Sequence, residues 1–212
     1  MAPRLRPFIL IKLLDCSMKL KQIVVFCASS PGHEKVYMES ARMVGKVFAE
    51  KDIQLVYGGG RVGLMGGIAD SVMENGGQVV GVIPKFLNSK EIGHTGISQL
   101  IEVDTMHERK AKMNNLCDAV IALPGGFGTM EELFEMLTWG QLGLHQKPIG
   151  LLNVDGFYDH LIQFIKHMVD AGLLKKENQD MLLYANNIHD LLDKMDAYVA
   201  PEVPKWLNLE KS

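Results

Sequence analysis

The sequence has no excess of positive charge and few cysteines. Its formal net charge is -3, from 22 Lys and Arg against 25 Asp and Glu. A general nucleic-acid-binding surface needs a clustered excess of cations, so the charge balance argues against that class of partner. The three cysteines, Cys16, Cys27 and Cys117, are odd in number and lack metal-ligand spacing. We interpret them as reduced thiols of a cytoplasmic protein without a metal site, and Cys27 as a buried thiol rather than a nucleophile.

The chain also lacks a long hydrophobic run. No segment approaches the roughly 20 apolar residues of a membrane span, so we expect no membrane partner. Residues 1–17 place basic residues before a short apolar run, but Lys12 interrupts that run and Asp15 directly precedes Cys16. This pattern argues against a secretion signal. We expect residues 1–17 to be a disordered, dispensable extension, because Met18 offers an alternative start; unchanged melting temperature and activity of a chain beginning at Met18 would confirm it.

Short apolar runs alternate with amphipathic stretches along residues 18–200. They predict strands at 22–27, 53–57, 78–83, 100–103, 119–123 and 148–153, with helices near 35–50, 65–75, 106–116, 129–141 and 157–171. Most runs are apolar throughout, which is typical of parallel strands covered on both faces. The pattern predicts a single α/β domain with a Rossmann-like, doubly wound parallel sheet, followed by a surface tail at 201–212. Ligands of such sheets bind at the carboxyl ends of the strands.

The first of two glycine-rich loops, "YGGGRVGLMGG", follows a predicted strand and opens a predicted helix. Gly58, Gly60 and Gly63 match the G-x-G-x-x-G fingerprint of dinucleotide-binding proteins. That fingerprint also needs an acid about 20 residues further on to bind a ribose, and Ile83 and Pro84 occupy this place. NAD binding is therefore disfavoured. A phosphate cradle and a tight packing turn remain as interpretations of this loop.

The second loop, "PGGFGTMEE", leaves the strand at 119–123 and leads into a helix that we expect to begin at Thr129. It lacks the Gly-Lys-Ser/Thr ending of a nucleoside-triphosphate loop. Thr129 and Glu132 have the spacing of a capping box, so Glu132 could cap the helix or could face a ligand. Glu131 and Glu132 would lie in the first turn, about 100° apart, so at most one can point squarely at a ligand.

A third segment, "DTMHERKAKMNN", places Arg109 and Lys110 near the start of a predicted helix. Cations at this end of a helix oppose its dipole, and such a local conflict is typical of functional sites. Arg109 is suited to clamp a phosphate or to bind a carboxylate through two hydrogen bonds.

These motifs resemble those of the Lonely Guy (LOG) family, the cytokinin riboside 5'-monophosphate phosphoribohydrolases. "PGGFGTMEE" is similar to the family's P-G-G-x-G-T-x-x-E motif, and "YGGGRVGLMG" and "MHERK" are similar to two further signatures. "FCASS" stands where members often read Cys-Gly-Ser-Ser, with Ala28 in place of the glycine. The resemblance covers about Lys21 to Asn187. Members were often labelled lysine decarboxylases, but the glycine loops supply no obvious lysine for a pyridoxal phosphate Schiff base.

The resemblance implies a homodimer that hydrolyses the N-glycosidic bond of a purine nucleoside 5'-monophosphate without a cofactor or metal. Arg109 and Glu132 would be the catalytic pair. The implied substrate-binding residues are Ser29, Gly58, Gly59, Gly60, Glu91, Lys110, Gly126, Phe127, Gly128, Thr129, Met130, Glu131 and Thr138. Adenine and N6-modified adenine both remain open as the base. The alternative is a non-catalytic nucleotide-binding protein on the same fold.

Overall fold

The computed structural model describes residues 20–88 and 93–201. In these ranges one parallel sheet has seven strands in the order β4-β3-β2-β1-β5-β6-β7. They are β1 (Gln22–Phe26), β2 (Gln54–Tyr57), β3 (Val79–Pro84), β4 (Gln99–Val103), β5 (Ala119–Ala122), β6 (Ile149–Leu152) and β7 (Leu182–Ala185). The predicted α/β class and parallel sheet are confirmed. The predicted extension at 1–17 and all but the first residue of the predicted tail lie outside the described residues.

Helices cover both faces of this sheet. They are α1 (Lys35–Glu50), α2 (Gly63–Glu74), α3 (Lys85–Asn88), α4 (Met106–Asn115), α5 (Phe127–Gln141), α6 (Asp159–Asp170), α7 (Lys176–Gln179) and α8 (Ile188–Asp196). Alternate residues of β1 belong to two core layers, with Ile23 packing on the side of α1, α2 and α8 and Val24 on the side of α4, α5 and α6. Within the described ranges, no helix combines the length and apolar character needed to cross a bilayer.

The strand order reverses between β1 and β5. The chain leaves β1 towards β2 on one side of the sheet and leaves β5 towards β6 on the other. The loops that follow these two strands therefore diverge and open a crevice at their carboxyl ends. Backbone hydrogen bonds join the loops below this crevice, from Leu123 N to Phe26 O at 2.9 Å and from Ala28 N to Pro124 O at 3.2 Å. The fold thus brings the segments "FCASS" and "PGGFGT" together.

The sequence analysis did not assign strand β7 or helix α8. Strand β7 forms one edge of the sheet, and α8 follows it along the chain. A usable signal was present, because Ile188, Leu191, Leu192 and Met195 recur at helical spacing and are buried. Asn187 caps the helix, with its side-chain oxygen accepting a hydrogen bond from Asp190 N at 2.9 Å. An Asn before such a run is a recognised helix start.

Gly63 generates a prediction about how α2 docks on the loop after β1. Its φ is +61°, and a Cβ there would lie 2.2 Å from the Ser29 carbonyl carbon. Gly76 is a matched control, since its φ is +78° but a Cβ would meet nothing within 4 Å. We expect Gly76→Ala to lower the free energy of unfolding by about 1–2 kcal/mol through backbone strain alone. Gly63→Ala should cost at least about 2 kcal/mol more, because the backbone of the loop must also move. Urea unfolding of both variants measures the difference, and equal losses would contradict the docking role.

Candidate active site

A cavity of about 400 Å³ lies in the crevice at the carboxyl ends of β1 and β5. Its lining comes from the end of β1 and the following loop, the start of the loop after β2, and the helices α2, α4 and α5. These residues are Val25, Phe26, Cys27, Ala28, Ser29, Ser30, Gly58, Met65, Met106, Arg109, Gly126, Phe127, Gly128, Thr129, Glu131 and Glu132. Most of the residues predicted for the site therefore share one cavity.

Five of the predicted substrate-binding residues do not line this cavity. Gly59 has a φ of +75° and packs against Ile83 and Leu100, and Gly60 pairs with Gly93 in a short bridge. The first glycine loop is thus mainly a packing turn, with Gly58 as its contribution to the cavity. The other three predicted substrate-binding residues that do not line the cavity are Lys110, Met130 and Thr138. Glu91 lies outside the described residues.

The end of β3 carries no acid in the place where a dinucleotide-binding fold has one. Ile83 and Pro84 are the last two residues of β3, and both are buried in the sheet. Ile83 and Pro84 thus lie at the strand end, where the sequence analysis expected them.

A buried ion pair joins α4 to α5 across the cavity. Arg109 Nη2 lies 3.2 Å from Glu132 Oε1, and each side chain is 11% exposed. Arg109 Nε is buried and has no hydrogen-bond partner among the described residues. A Cβ on Gly58 would lie 2.2 Å from Arg109 Nη2, so the guanidinium occupies space that only a glycine leaves free. The arrangement places a carboxylate and its paired cation together at the cavity wall.

Burial raises the pKa of Glu132 above its ordinary value, and the neighbouring Arg109 cation partly opposes this rise. A carboxyl group with a raised pKa is a better proton acceptor when it is ionised than an exposed one. Perturbed carboxyl groups in a cleft are candidates for acid–base chemistry. Glu132 is therefore suited to orient a water molecule or to accept its proton.

Helix α5 begins earlier than the sequence predicted, and the capping interpretation of Glu132 is wrong. Its first residue is Phe127, Gly126 occupies the N-cap, and no side chain caps it. Thr129 is 4% exposed and turns inward, with its Oγ1 2.1 Å from where a Cβ on Gly125 would be. The helix therefore begins two residues sooner than expected, which places Glu132 beyond the first turn and out of capping range.

The thiol of Cys27 lines the cavity but is not activated. Burial, and then the charge of Glu132, raises the pKa of this thiol well above its ordinary value. A protonated thiol is a poor nucleophile, so the interpretation of Cys27 as an inert buried group is confirmed.

Two methionines complete the cavity wall and were missed by the sequence analysis. Met65 lies on α2 and Met106 on α4, and both line the cavity with Phe127. Met65 lies in the motif "YGGGRVGLMGG" and Met106 in the motif "MHERK". Membership of these motifs was the one sequence feature that could have pointed to the two residues. Apolar side chains carry no chemical signature of their own, so only their position identifies them.

Known proteins resemble this chain over most of its length. A family model described as "Possible lysine decarboxylase" matches residues 65–195. A cytokinin riboside 5'-monophosphate phosphoribohydrolase of Arabidopsis thaliana is 48% identical over 181 residues, or 85% of each chain. One of Oryza sativa subsp. japonica is 44% identical, over 85% of this chain and 75% of that protein. The molybdenum cofactor binding protein from Rippkaea orientalis shares the fold, with 20% identity and a TM-score of 0.63 over 85% of this chain and 98% of that protein.

No lysine lines the cavity in the described part of the chain.

The raised pKa of Glu132 generates a prediction about stability. A carboxyl whose pKa is higher in the folded state stabilises the fold most when protonated, below the ordinary value of 4.5. This contribution is lost as the pH rises through the folded-state value. Glu132→Gln imitates the protonated group, so its free energy of unfolding relative to the wild type should grow between pH 5 and pH 8. Urea unfolding across this range measures it.

The exposed Glu50, which pairs with Lys46 on α1, provides the control. Glu50→Gln should show no comparable rise with pH, because its carboxylate stays in water. A parallel pH dependence for Glu132→Gln and the wild type would contradict the assignment of a raised pKa to Glu132.

Proposed function

Because the chain belongs to the cytokinin riboside 5'-monophosphate phosphoribohydrolase (LOG) family, we propose that it hydrolyses the N-glycosidic bond of adenine-type nucleoside 5'-monophosphates. Water adds to C1' of the ribose, the bond to the base breaks, and the base leaves with a proton. The products are the free base and ribose 5-phosphate. The observation that carries this proposal is the buried pair of Arg109 and Glu132 in a cavity at the start of α5.

The start of α5 is the proposed site of the 5'-phosphate. No side chain caps its first N–H groups, and these groups favour an anion together with the helix dipole. A Cβ on Gly126 or Gly128 would meet nothing within 4 Å, so the backbone there is open to a ligand. Ser29 and Ser30 line the same cavity and can donate hydroxyl hydrogen bonds to phosphate oxygens.

Glu132 is the proposed catalytic carboxylate. It follows Gly128 by four residues, which places it about 6 Å further along the helix axis. A phosphate at the helix start and a carboxylate at Glu132 can therefore address opposite ends of one ribose. Glycosidic cleavage builds positive charge on the sugar, and an aimed carboxylate stabilises that charge and accepts a proton from the attacking water.

Arg109 is the proposed second member of the catalytic pair. Its contact with Glu132 favours the ionised carboxylate against the cost of burial. Its guanidinium lines the cavity and can bind an oxygen of the ribose phosphate. One guanidinium would thus hold both the catalytic carboxylate and the substrate.

The apolar wall is the proposed base subsite. Met65, Met106 and Phe127 present thioether and aromatic groups to the cavity, and Phe127 is 96% exposed at its mouth. Such groups pack against a purine ring and leave room for an apolar N6 substituent. We therefore propose N6-prenylated adenine nucleotides, the cytokinin type, as substrates in addition to AMP.

Base release measured by chromatography tests the proposed function. AMP and N6-isopentenyl-AMP should both yield free base, whereas the kcat/KM for adenosine should be lower by about a hundredfold or more. The reason is that each charge-assisted hydrogen bond contributes about 1.5–3 kcal/mol and at least two are lost without the phosphate. Equal turnover of adenosine would contradict the phosphate site. Nucleotide binding without base release would favour the non-catalytic alternative.

Glu132→Gln separates binding from chemistry. The variant keeps the size of the side chain but removes its charge, so the single-turnover rate of base release should fall about a hundredfold or more. Affinity for AMP, measured by calorimetry, should persist or rise slightly, because repulsion of the phosphate is relieved. A folded variant that binds AMP and cleaves it at the wild-type rate would exclude Glu132 as the catalytic carboxylate.

We also propose that the protein is a homodimer whose interface includes the outer face of α5. Phe127, Phe134, Thr138 and Leu142 recur at helical spacing and are exposed along one stripe, which a second subunit can cover. Thr138 lies about 13 Å along the helix from Thr129 and does not line the cavity of its own subunit. Its predicted contact with nucleotide would then be made in the cavity of a partner.

Phe134→Asp tests this interface. A charge in the centre of the apolar stripe should convert a dimer to a monomer in light scattering, because it would be buried without a partner. Phe164 is a comparably exposed phenylalanine on α6 and provides the control Phe164→Asp, which should leave the mass unchanged. A dimer that survives Phe134→Asp would place the interface elsewhere.

A further inference from the structure

Lys110 is held between two carboxylates of α5. Its Nζ lies 2.7 Å from Glu131 Oε1 and 2.9 Å from Glu135 Oε1, and its side chain is 12% exposed. Both carboxylates raise the pKa of Lys110 above its ordinary value through these hydrogen bonds, so the ammonium stays charged. A charged group that is mostly buried and has two anionic partners has little freedom to turn towards a ligand.

Two neighbouring cations of α4 therefore pair with three carboxylates of α5. Arg109 contacts Glu132, while Lys110 contacts the residues at either end of the same helical turn, Glu131 and Glu135. Arg109, Glu131 and Glu132 line the cavity, but Lys110 and Glu135 do not. The second ion-pair cluster thus lies beside the reacting groups and spans the same pair of helices.

We propose that Lys110 and Glu135 are positioning residues, which hold α4 against α5 so that Glu132 keeps its place and its charge opposite Arg109. This inference rests on the proposed function and departs from a direct contact between Lys110 and the nucleotide. Lys110 fixes the turn of α5 that carries Glu132, since Glu131 precedes Glu132 and Glu135 follows it on the adjacent face.

The charges around Glu132 make this role measurable. Arg109 and Lys110 on α4 lower its pKa, Glu131 and Glu135 on α5 raise it, and the thiol of Cys27 after β1 also faces it. Removing the Lys110 cation should therefore raise the pKa of Glu132. Neutralising Glu135 should lower it. A residue that acts only by binding phosphate would instead change the affinity for AMP.

The test is the pH dependence of the single-turnover rate of base release from AMP, measured in the full-length protein. Lys110→Met should shift the acid limb to higher pH and slow the reaction at pH 7 by about tenfold, with calorimetric affinity for AMP changed less than about threefold. Glu135→Gln should shift the acid limb to lower pH. Lys166→Met is the control, because it breaks an exposed ion pair with Asp170 on α6 and should change neither quantity.

Opposite shifts in the two variants, together with an affinity for AMP that Lys110→Met changes less than about threefold, would support the positioning role. A tenfold or greater loss of AMP affinity in Lys110→Met without a shifted acid limb would instead make Lys110 a phosphate ligand and overturn the inference. An unshifted acid limb in Glu135→Gln would also overturn it, and this milder variant decides the matter if Lys110→Met does not fold. Absence of base release by the wild-type protein would overturn the proposed function and the inference together, whereas wild-type release with unshifted variants would overturn the inference alone.

Discussion

The buried ion pair between Arg109 and Glu132 is the interaction on which the proposed site depends. Removing two charges from water costs several kcal/mol per ion, and their mutual attraction offsets only part of this desolvation free energy. The pKa of Glu132 is raised because burial disfavours its ionised form by more than the Arg109 cation favours it. Such a pair is weak evidence of a contribution to stability, so its presence in an open cavity favours a chemical role. Gly58 is adapted to it, since any larger residue would displace the guanidinium.

The reversal of strand order between β1 and β5 is what makes this pair possible. The loops after β1 and β5 diverge at the carboxyl ends of these paired strands and leave a crevice between them. The N-terminus of α5 opens on one wall of that crevice, and α4 brings Arg109 to the same space. One topological feature therefore supplies both the proposed anion site and a place for a buried carboxylate.

Helix α5 combines features that would destabilise an isolated helix. Its N-cap is Gly126, which provides no side-chain cap, and the helix carries three carboxylates within five residues, Glu131, Glu132 and Glu135. Tertiary contacts offset these local costs, because Lys110 and Arg109 of α4 neutralise the carboxylates. Local conflict that is resolved only by the fold is typical of a functional region. The outer face of the same helix carries the exposed apolar stripe, so the proposed phosphate site, catalytic carboxylate and subunit contact share one element.

The sequence alone determined the α/β class, most strands and helices, and the absence of a ribose-binding acid after β3, because these follow from local composition and periodicity. Its motifs also resemble those of the LOG family, and this resemblance pointed to Arg109, Glu132 and the second glycine loop as candidate site residues. Only the tertiary structure decided that α5 begins at Phe127, that Gly59 and Gly60 serve packing, and that Lys110 pairs with Glu131 and Glu135. The physical reason is that these outcomes depend on which atoms face each other across two helices or two loops. Residues more than twenty positions apart leave no trace of that contact in local sequence pattern.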